Sequence, residues 1–548
     1  MIGANIASHL PAMALEHPDM LAVAIQTDSN EDYPRYSYRE LDEISNILSR
    51  GLQEIGIGKG TRTVLMVKPS LEFFAFVFAL FKAGAVLIAV DPGMGTKNLG
   101  ICLAEAEAEA FIGIRKAHMA RILYSWAKST LVRNVIIEPW KLLGTIMTDQ
   151  GMLIQMGEAS KKPAMNTVEA EDPAAILFTS GSTDVPKGVN YTHGNFTAQL
   201  NALKDLYDIK PGEIDLATFP LFALFAPAMG MTSVIPEMDF TRPGNVDPAG
   251  IFRAVNDFKA TSMFGSPALL NQVGRWGVDN AQRMPTLKRV ISAGAPVSPA
   301  ILKRFTHLLE SHAEVFTPYG ATEALPVASI GSNEVKQETG RHTGEGRGVC
   351  VGKPVEGIKM HIIAITDEAI GNWQAAKILD TNQVGEIVVQ GSQVTSSYYN
   401  CEASNELSKI NDLEGGFYHR MGDLGYFDER GRLWFCGRKS ERVELENMTL
   451  YTISCEGVFN THNRVFRSAL VKIKVDEVYK PALCVELEFD SQHTAKNILI
   501  QELLDIGSTY AHTAAIKHIM VHPGFPVDIR HNAKIGRAEL ADWAQQQI

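Results

Sequence analysis

Residues 179–188 read TSGSTDVPKG, a composition suited to binding phosphate. They follow an apolar run, AAILF at 174–178, that predicts a buried strand. Glycines let the backbone approach a ligand closely, and consecutive N–H groups in such a turn form a nest for phosphate oxygens. Hydroxyl groups add donors, and a lysine adds a mobile positive charge. The residues predicted to hold a polyphosphate are Thr179, Ser180, Gly181, Ser182, Thr183 and Lys187.

A surface turn rich in small polar residues is the plain alternative for this stretch. The stretch is not a Walker loop, because no Gly-Lys-Ser/Thr ends it and Pro186 precedes the lysine. A complete ten-residue string after a buried strand is more specific than a cluster of serines and glycines. We therefore favour the phosphate-binding interpretation.

Two later segments could complete a nucleotide site. SAGAP at 292–296 follows a predicted strand, and its turn could let the backbone pass flat against a planar base. In YGATE at 319–323, Tyr319 offers an aromatic face, Thr322 a hydroxyl for the α-phosphate, and Glu323 a hard oxygen for Mg²⁺. The alternatives are an ordinary strand-to-helix turn and a capped helix N-terminus.

Two segments near the end of the chain carry further charged candidates. In HRMGDLGYFDERGRLWFCGRK at 419–439, Asp423 is of the type that accepts both hydroxyls of a ribose, and Arg438 could pair with ribose or phosphate oxygens. A turn aspartate is the plain alternative. In NAKIGRAEL at 532–540, Lys534 is a lone lysine in a polar loop, which by itself indicates only a solvated side chain.

Taken in order, these segments resemble the adenylate-forming superfamily of acyl-CoA synthetases, luciferases and peptide-synthetase adenylation domains, over nearly the whole chain. The family usually has glycine where this chain has Asp184. The resemblance implies MgATP as the cofactor, Lys534 as the catalytic lysine aided by Thr322 and Glu323, Glu323 as the metal ligand, and Lys439 as a hinge. It also implies ATP or AMP contacts from Gly294, Ala295, Pro296, Tyr319, Gly320, Ala321, Asp423 and Arg438.

Two departures bear on what happens to the adenylate. Acyl-CoA synthetases usually carry lysine and glycine shortly after the hinge, where this chain has Glu444 and no glycine, which weakens the case for a CoA acceptor. The segment FPLFALFAPAMGMTSVIP at 219–236 has Ala223 where the family often has histidine or an aromatic residue. The predicted acyl pocket, which core packing would explain equally well, consists of Phe222, Phe225, Met229 and Gly265.

The segments at 219–243, 264–270, 419–439 and 524–537 resemble one branch in particular, the β-lactone synthetases of bacterial long-chain olefin biosynthesis. This resemblance implies a 2-alkyl-3-hydroxy fatty acid whose own hydroxyl attacks the activated carbonyl. It also implies partners from the pathway: a thiolase-like condensing enzyme, a ketoreductase and a hydrolase-like lactone decarboxylase. The alternatives are a long-chain acyl-CoA synthetase and, more remotely, a non-catalytic nucleotide-binding scaffold.

Composition limits the class of protein. The formal charge of −11 argues against nucleic acid as a main partner and against a polybasic site for anionic lipid. The apolar stretch at 73–90 is broken by Lys82 and Gly84, so we expect a buried helix and strand, not a transmembrane segment. The six cysteines are scattered, and no signal peptide is apparent, which favours a cytoplasmic protein with reduced thiols.

The order of apolar runs predicts an α/β fold with more than one domain. Strand-like and helix-like runs alternate to about residue 320, while 350–437 contains short strands punctuated by glycine, which suggests a small antiparallel sheet or barrel. We expect a large domain of layered α/β subdomains and this barrel at 1–437 and an α+β domain at 440–548. The resemblance implies a hinge at 438–439 between them and a mobile C-terminal domain. Residues 148–170 lack a clear period and predict a loop.

Overall fold

The computed structural model describes most of the chain: residues 3–27, 33–90, 92–137, 148–179, 186–219, 225–488, 491, 495–527 and 534–548. The side chains of Pro92 and Thr179 are outside this description. So are several residues singled out from the sequence, namely Ser180, Gly181, Ser182, Thr183 and Asp184 of the phosphate loop, and Phe222 and Ala223 of the acyl segment.

The first sheet has seven strands and is parallel except at one edge. Its central strands come from runs of consecutive apolar residues, as expected when helices cover both faces of a parallel sheet. The last pair is antiparallel and flanks the predicted phosphate loop. In spatial order the strands are Thr148–Asp149, Arg133–Ile136, Ala110–Gly113, Arg62–Met66, Val86–Ala89, Pro173–Thr179 and Lys187–Thr192.

A fourteen-stranded sheet combines a parallel part with an antiparallel part. The parallel part consists of Leu21–Ile25, Thr232–Ile235, Ile214–Ala217, Ser262–Phe264, Arg289–Ile291 and Glu314–Ala321, with Arg35–Ser37 antiparallel at the edge. The antiparallel part follows through Ala324–Gly331, Val349–Pro354, Leu433–Arg438, Phe417–Phe427, Gly385–Gln390 and Lys359–Ile363, with Lys409–Asn411 beside it.

The C-terminal part has a three-stranded sheet of its own. Alternate residues of its long strand, Leu470 on one side and Val471 on the other, belong to two separate hydrophobic cores. Helices pack on both faces, so the tail is α+β, as the sequence predicts. Its strands are Val465–Val475, Val478–Leu487 and His518–Val521, after a small hairpin of Val443–Glu444 and Thr449–Leu450.

Several helices begin after a residue type that favours helix starts. Ser37 forms a capping box with Glu40, and Ser70 caps the apolar helix Leu71–Lys82 by accepting from the N–H of Phe73. The α-helices of the large part are His9–Glu16, Tyr38–Glu54, Leu71–Lys82, Gly95–Glu105, Arg115–Leu123, Gln150–Ala159, His193–Tyr207, Pro248–Phe258, Pro267–Asp279, Pro299–Thr306 and Glu402–Ser408, with helical turns over 332–344. Those of the tail are Thr452–Phe459, Lys496–Ser508 and Arg537–Gln545.

Residues 148–170 are not a continuous loop, so that prediction was wrong. A helix spans Gln150–Ala159, and Asp149 caps it by accepting from the backbone N–H of Met152 at 2.8 Å. The helix packs against Tyr38–Glu54, and its Gly157 allows close approach, because a Cβ there would lie 2.0 Å from the carbonyl oxygen of Ile47.

The apolar stretch at 73–90 forms a buried helix and a buried strand, as predicted. Lys82, the charge inside it, is fully buried and its Nζ donates to Asp42 Oδ1 at 2.7 Å and to Ser45 Oγ at 2.7 Å. Within the described ranges, no helix combines the length and the apolar character needed to cross a membrane.

Candidate active site

A cavity of about 1760 Å³ is lined by both large sheets and by the C-terminal part. The fold thus brings together residues that are hundreds of positions apart in the sequence. The predicted site residues that line it are Lys187, Phe225, Gly294, Ala295, Pro296, Tyr319, Gly320, Ala321, Thr322, Glu323, Asp423, Arg438, Lys439 and Lys534.

Neighbouring parallel strands place the two central loops side by side. The strand Arg289–Ile291 leads into 292–296, and its neighbour Glu314–Ala321 leads into Thr322 and Glu323. Ligands bind where the carboxyl ends of parallel strands meet. Gly294 has a φ of +96°, a conformation that favours glycine.

Thr322 and Glu323 form the turn of a tight hairpin, not the helix N-terminus considered from the sequence. Ala321 pairs with Ala324 across this turn, so only two residues connect the strands. Their backbone is fixed by neighbours, because Thr395 N–H donates to the Glu323 carbonyl oxygen at 2.9 Å and the Tyr191 hydroxyl donates to that of Thr322. The two side chains implied in catalysis are therefore presented to the cavity from a rigid turn.

Asp423 is the centre of a buried polar group. It faces Arg438 directly across two antiparallel strands, and Arg438 Nη1 lies 2.9 Å from Asp423 Oδ1. The Tyr319 hydroxyl donates to Oδ2 at 2.7 Å. The contact with Arg438 is an ion pair without hydrogen-bond alignment, so the buried Oδ1 accepts no hydrogen bond among the described residues. Oδ1 therefore retains capacity for a hydroxyl donor in the cavity.

The charges of this group depend on one another. Burial raises the pKa of Asp423, and the guanidinium of Arg438 opposes that rise. In return, Asp423 raises the pKa of Arg438, and burial together with Asp423 raises the pKa of Tyr319. Tyr319 is therefore a neutral hydrogen-bond donor at physiological pH.

Glu323 is held by a tyrosine that the sequence did not single out. The Tyr398 hydroxyl donates to Glu323 Oε1 at 2.7 Å, and Lys187 Nζ lies 5.5 Å from the centroid of the Tyr398 ring. Tyr398 thus connects the residue implied as metal ligand with the lysine of the phosphate loop. No motif marks Tyr398 in the sequence, so only the fold reveals this contact.

The segment from Lys534 to the last helix is anchored by Arg537. Arg537 Nε lies 2.7 Å from Glu441 Oε2, just after the predicted hinge, and its Nη2 lies 3.1 Å from Glu456 Oε2. Burial opposes the charge of Arg537, but Glu456 and Glu441 outweigh it and raise the pKa of this guanidinium. Lys534 is exposed at the cavity wall, three residues from this anchor.

Lys439, the predicted hinge residue, is held by the large part of the chain. Its Nζ donates to the carbonyl oxygen of Thr366 at 2.9 Å and lies 3.2 Å from Glu386 Oε2. Glu386 is itself buried and pairs with Arg420 at 2.6 Å. A rotation of the C-terminal part about Lys439 would either break these contacts or leave Lys439 fixed on the large part. The hinge role stays a prediction.

Comparison with known proteins shows the family to which the chain belongs. A sequence model of the family described as AMP-binding enzyme matches residues 11–399, more than half of the chain. The chain belongs to this family. Members of the AMP-binding family are adenylate-forming enzymes, so the chain is an adenylate-forming ligase.

Two curated AMP-binding relatives match over almost the whole length. An olefin beta-lactone synthetase of Xanthomonas campestris pv. campestris is 44% identical, and one of Stenotrophomonas maltophilia is 45% identical; each match covers 99% of this chain and 98% of the relative. A long-chain-fatty-acid–CoA ligase of Salmonella typhimurium is 24% identical over 80% of this chain and 78% of its own.

Solved structures confirm the predicted fold class. An amide bond synthetase from Marinactinospora thermotolerans has a TM-score of 0.78 at 17% identity, covering 98% of this chain and 99% of its own. An o-succinylbenzoate CoA synthetase from Bacillus subtilis, solved with its acyl-adenylate intermediate, has a TM-score of 0.75 at 19% identity, with 97% of both chains covered. The fold is therefore the α/β fold of adenylate-forming enzymes.

The predicted acyl pocket is only partly at the cavity. Phe225 lines it, whereas Met229 is buried in the core, and neither Met229 nor Gly265 is among the described lining residues. Gly265 lies between two lining residues, and a Cβ there would approach Leu270 Cδ2 to 2.7 Å. The apolar lining that the sequence did not single out includes Phe81, Leu87, Ala89, Leu177, Phe178, Phe196, Leu203, Phe219, Phe240 and Phe264.

Proposed function

We propose that this enzyme converts a 2-alkyl-3-hydroxy fatty acid and ATP into a β-lactone, AMP and pyrophosphate. The observation that carries this proposal is the 44–45% identity, over almost the full length, to two olefin beta-lactone synthetases. The match to the long-chain CoA ligase is far weaker, at 24%.

The first step makes the acyl adenylate. A carboxylate oxygen of the fatty acid attacks the α-phosphorus of ATP, a P–O bond forms, and the bond to pyrophosphate breaks. We assign Lys534 to the carboxylate and α-phosphate, where a cation stabilises the negative charge that develops in the transition state. Thr322 would donate a hydrogen bond to an α-phosphate oxygen from its rigid turn.

The ribose would lie at Asp423. The buried Oδ1 without a hydrogen bond is the atom best placed to accept from a ribose hydroxyl, and Arg438 beside it favours the ionised carboxylate. Gly294, Ala295 and Pro296 would border the adenine on the neighbouring strand ends. Lys187 would contact the leaving phosphates together with the loop at 179–188.

A magnesium ion fits the donors that are present. The described residues contain no group of three or more metal-ligating side chains, and one oxygen of Glu323 is occupied by Tyr398. Mg²⁺ is commonly held by one or two carboxylates, by substrate phosphates and by water. When bound through Glu323, it would neutralise charge on the phosphates; the chain itself orients Glu323 through Tyr398.

The second step closes the ring. The oxygen of the 3-hydroxyl attacks the acyl carbon, a C–O bond forms, the bond to AMP breaks with its electron pair, and the hydroxyl proton is released. The attack is intramolecular, so proximity replaces a second substrate. A cavity of about 1760 Å³ with many apolar lining residues offers room for alkyl chains beside a nucleotide.

The decisive experiment uses one defined 2-alkyl-3-hydroxy acid with MgATP, with and without CoA. We expect mass spectrometry to show a β-lactone and AMP in the absence of CoA. A thioester formed only when CoA is present would instead assign the CoA ligase reaction. Carboxylate-dependent pyrophosphate exchange without either product would leave adenylation as the function and reject ring closure.

The cellular compartment and the partner enzymes of the reaction are also proposals. We expect the enzyme to act in the cytoplasm with its thiols reduced. A thiolase-like condensing enzyme and a ketoreductase would supply the hydroxy acid, and a hydrolase-like decarboxylase would consume the lactone. Co-purification of the chain with these three proteins at physiological salt tests the association.

A further inference from the structure

The helix Arg115–Leu123 and the turn after it present large apolar side chains to solvent. The exposed fractions are 55% for Met119, 46% for Ile122, 75% for Leu123, 52% for Tyr124 and 70% for Val132. Exposed apolar groups that cluster in this way mark an interaction surface. We call residues 115–133 the basic–apolar patch.

The turn of the patch is anchored by a buried tryptophan. Trp126 is buried, its Nε1 donates to the carbonyl oxygen of Thr96 at 3.1 Å, and its ring packs against Gly100 so closely that a Cβ there would lie 2.9 Å away. On either side of it, Ser125 and Ala127 have φ angles of 53° and 46°. These left-handed residues turn the chain so that Trp126 points inward while its neighbours Leu123 and Tyr124 stay exposed.

The charge of the patch is opposite to that of the chain. Residues 110–137 contain five basic residues and no acidic one, whereas the whole chain has a formal charge of −11. The carboxylates just before this segment are occupied, because Glu109 and Glu107 lie 3.4 Å and 3.9 Å from Arg62. The negative net charge of the whole chain was the argument against a polybasic lipid site. This segment is positively charged, so that argument does not apply to it. Its five basic residues are Arg115, Lys116, Arg121, Lys128 and Arg133.

One helix face combines both properties. Arg115, Met119 and Ile122 are spaced by four and three residues, so they lie on one side of the helix, and Lys116 and Leu123 are spaced by seven. Of the basic residues, Arg121 is half-buried with its guanidinium 5.6 Å from the Phe111 ring, and Arg133 is half-buried with its Nε donating to the carbonyl oxygen of Ile55 at 3.1 Å. Lys116 and Lys128 are exposed. The two exposed lysines thus lie before and after these apolar side chains along the chain.

We propose that the basic–apolar patch docks this enzyme on a membrane surface that contains anionic phospholipid. Lysine near an anionic bilayer is favoured, and Leu, Ile and Tyr side chains can enter the boundary between headgroups and acyl chains. A protein partner is the alternative that the test must exclude: methionine, tyrosine and arginine are enriched at protein–protein interfaces, whereas lysine, which supplies the two exposed charges of the patch, is depleted there. The patch lies outside the cavity, so docking and catalysis are separate properties.

Vesicle co-sedimentation of the full chain tests this. One set of vesicles is phosphatidylcholine alone, and the other contains about a third phosphatidylglycerol. We expect binding to the anionic vesicles only, weakened by salt. Leu123→Glu should lower the partition coefficient at least tenfold, and Lys116→Gln and Lys128→Gln about fivefold each.

Matched controls separate the patch from general surface effects. Leu413 is 77% exposed at another place, so Leu413→Glu adds the same charge without touching the patch, and Lys161→Gln is the control for the lysines. Thermal unfolding and carboxylate-dependent pyrophosphate exchange should be unchanged in all variants. Equal binding to both kinds of vesicle, no binding at low salt, or equal loss in Leu413→Glu would overturn the proposal. The proposal would also be overturned if the chain did not bind vesicles but self-associated in sedimentation velocity, and if Leu123→Glu removed that self-association.

Discussion

The hydroxyl of Tyr398 lies 2.7 Å from Oε1 of Glu323 and donates a hydrogen bond to it. The same ring faces Lys187 Nζ at 5.5 Å, and the backbone of Tyr398 pairs with Val189 of the strand that follows the phosphate loop. Tyr398 therefore fixes the position of the carboxylate relative to the loop. Hydrogen bonds to charged groups are stronger than neutral ones, so this contact should matter for the orientation of Glu323.

Tyr398→Phe should weaken adenylation by about tenfold, because it removes one hydrogen bond to a charged acceptor and leaves the ring in place. The loss should appear mainly as a higher Mg²⁺ concentration for half-maximal rate. Carboxylate-dependent pyrophosphate exchange at several Mg²⁺ concentrations measures it. Tyr399→Phe is the matched control, since the Tyr399 hydroxyl bonds Glu107 at the surface. An unchanged Mg²⁺ requirement in Tyr398→Phe would rule out this positioning role.

Asp423→Asn should weaken the preference for an intact ribose. The variant keeps the shape of the side chain and one acceptor oxygen, but it loses the negative charge that pairs with Arg438 and strengthens the hydrogen bond from a hydroxyl. We expect the KM for ATP to rise by about 10- to 100-fold. The ratio of kcat/KM for ATP to that for 2′,3′-dideoxyATP should fall toward one.

The control for this experiment is Asp380→Asn, a carboxylate exposed on the antiparallel part of the fold. Its kinetics with both nucleotides should match those of the parent enzyme. If Asp423→Asn still prefers ATP as strongly as the parent, Asp423 does not contact the ribose.

Much of the fold follows from local patterns. Runs such as VLIAV at 86–90 and AAILF at 174–178 are strands Val86–Ala89 and Pro173–Thr179, because buried parallel strands need unbroken apolar residues. The helix Gln150–Ala159 was not predicted, since its methionines and glycines produce no clear period and its packing against Tyr38–Glu54 stabilises it. Tertiary contacts, and not a local sequence pattern, therefore determine that this segment is helical.

The sequence predicted the site residues that lie in recognisable motifs. It did not predict the residues whose importance comes from contacts with distant parts of the chain. Lys187, Glu323 and Asp423 lie in short recognisable strings, and the fold brings all three to one cavity. Tyr398 and Arg537 matter through contacts with residues 75 and 96 positions away, which no local pattern encodes. Met229 was proposed for the acyl pocket from its apolar character, a property that it shares with the core where it lies.

Lys534→Ala should lower the rate of adenylation by about 100- to 1000-fold, because it removes a cation from charge that develops in the transition state. Pyrophosphate exchange measures the rate, and Lys517→Ala, another exposed lysine of the C-terminal part, is the control. Exchange at the parent rate in Lys534→Ala would assign the catalytic charge to a different residue.

Lys409 provides a test by pH. Burial lowers the pKa of Lys409 from its usual 10.5 to about 7, although the nearby charge of Glu323 opposes this. Between pH 7 and 9 the unfolded chain therefore holds a proton that the folded chain has released, so the free energy of unfolding should rise with pH in this window, by up to about 2 kcal/mol. Lys409→Met should abolish this increment, and the exposed Lys336→Met should keep it. Denaturant unfolding of the three proteins at pH 7, 8 and 9 measures the difference; parallel pH profiles for the parent and Lys409→Met would show that Lys409 titrates normally.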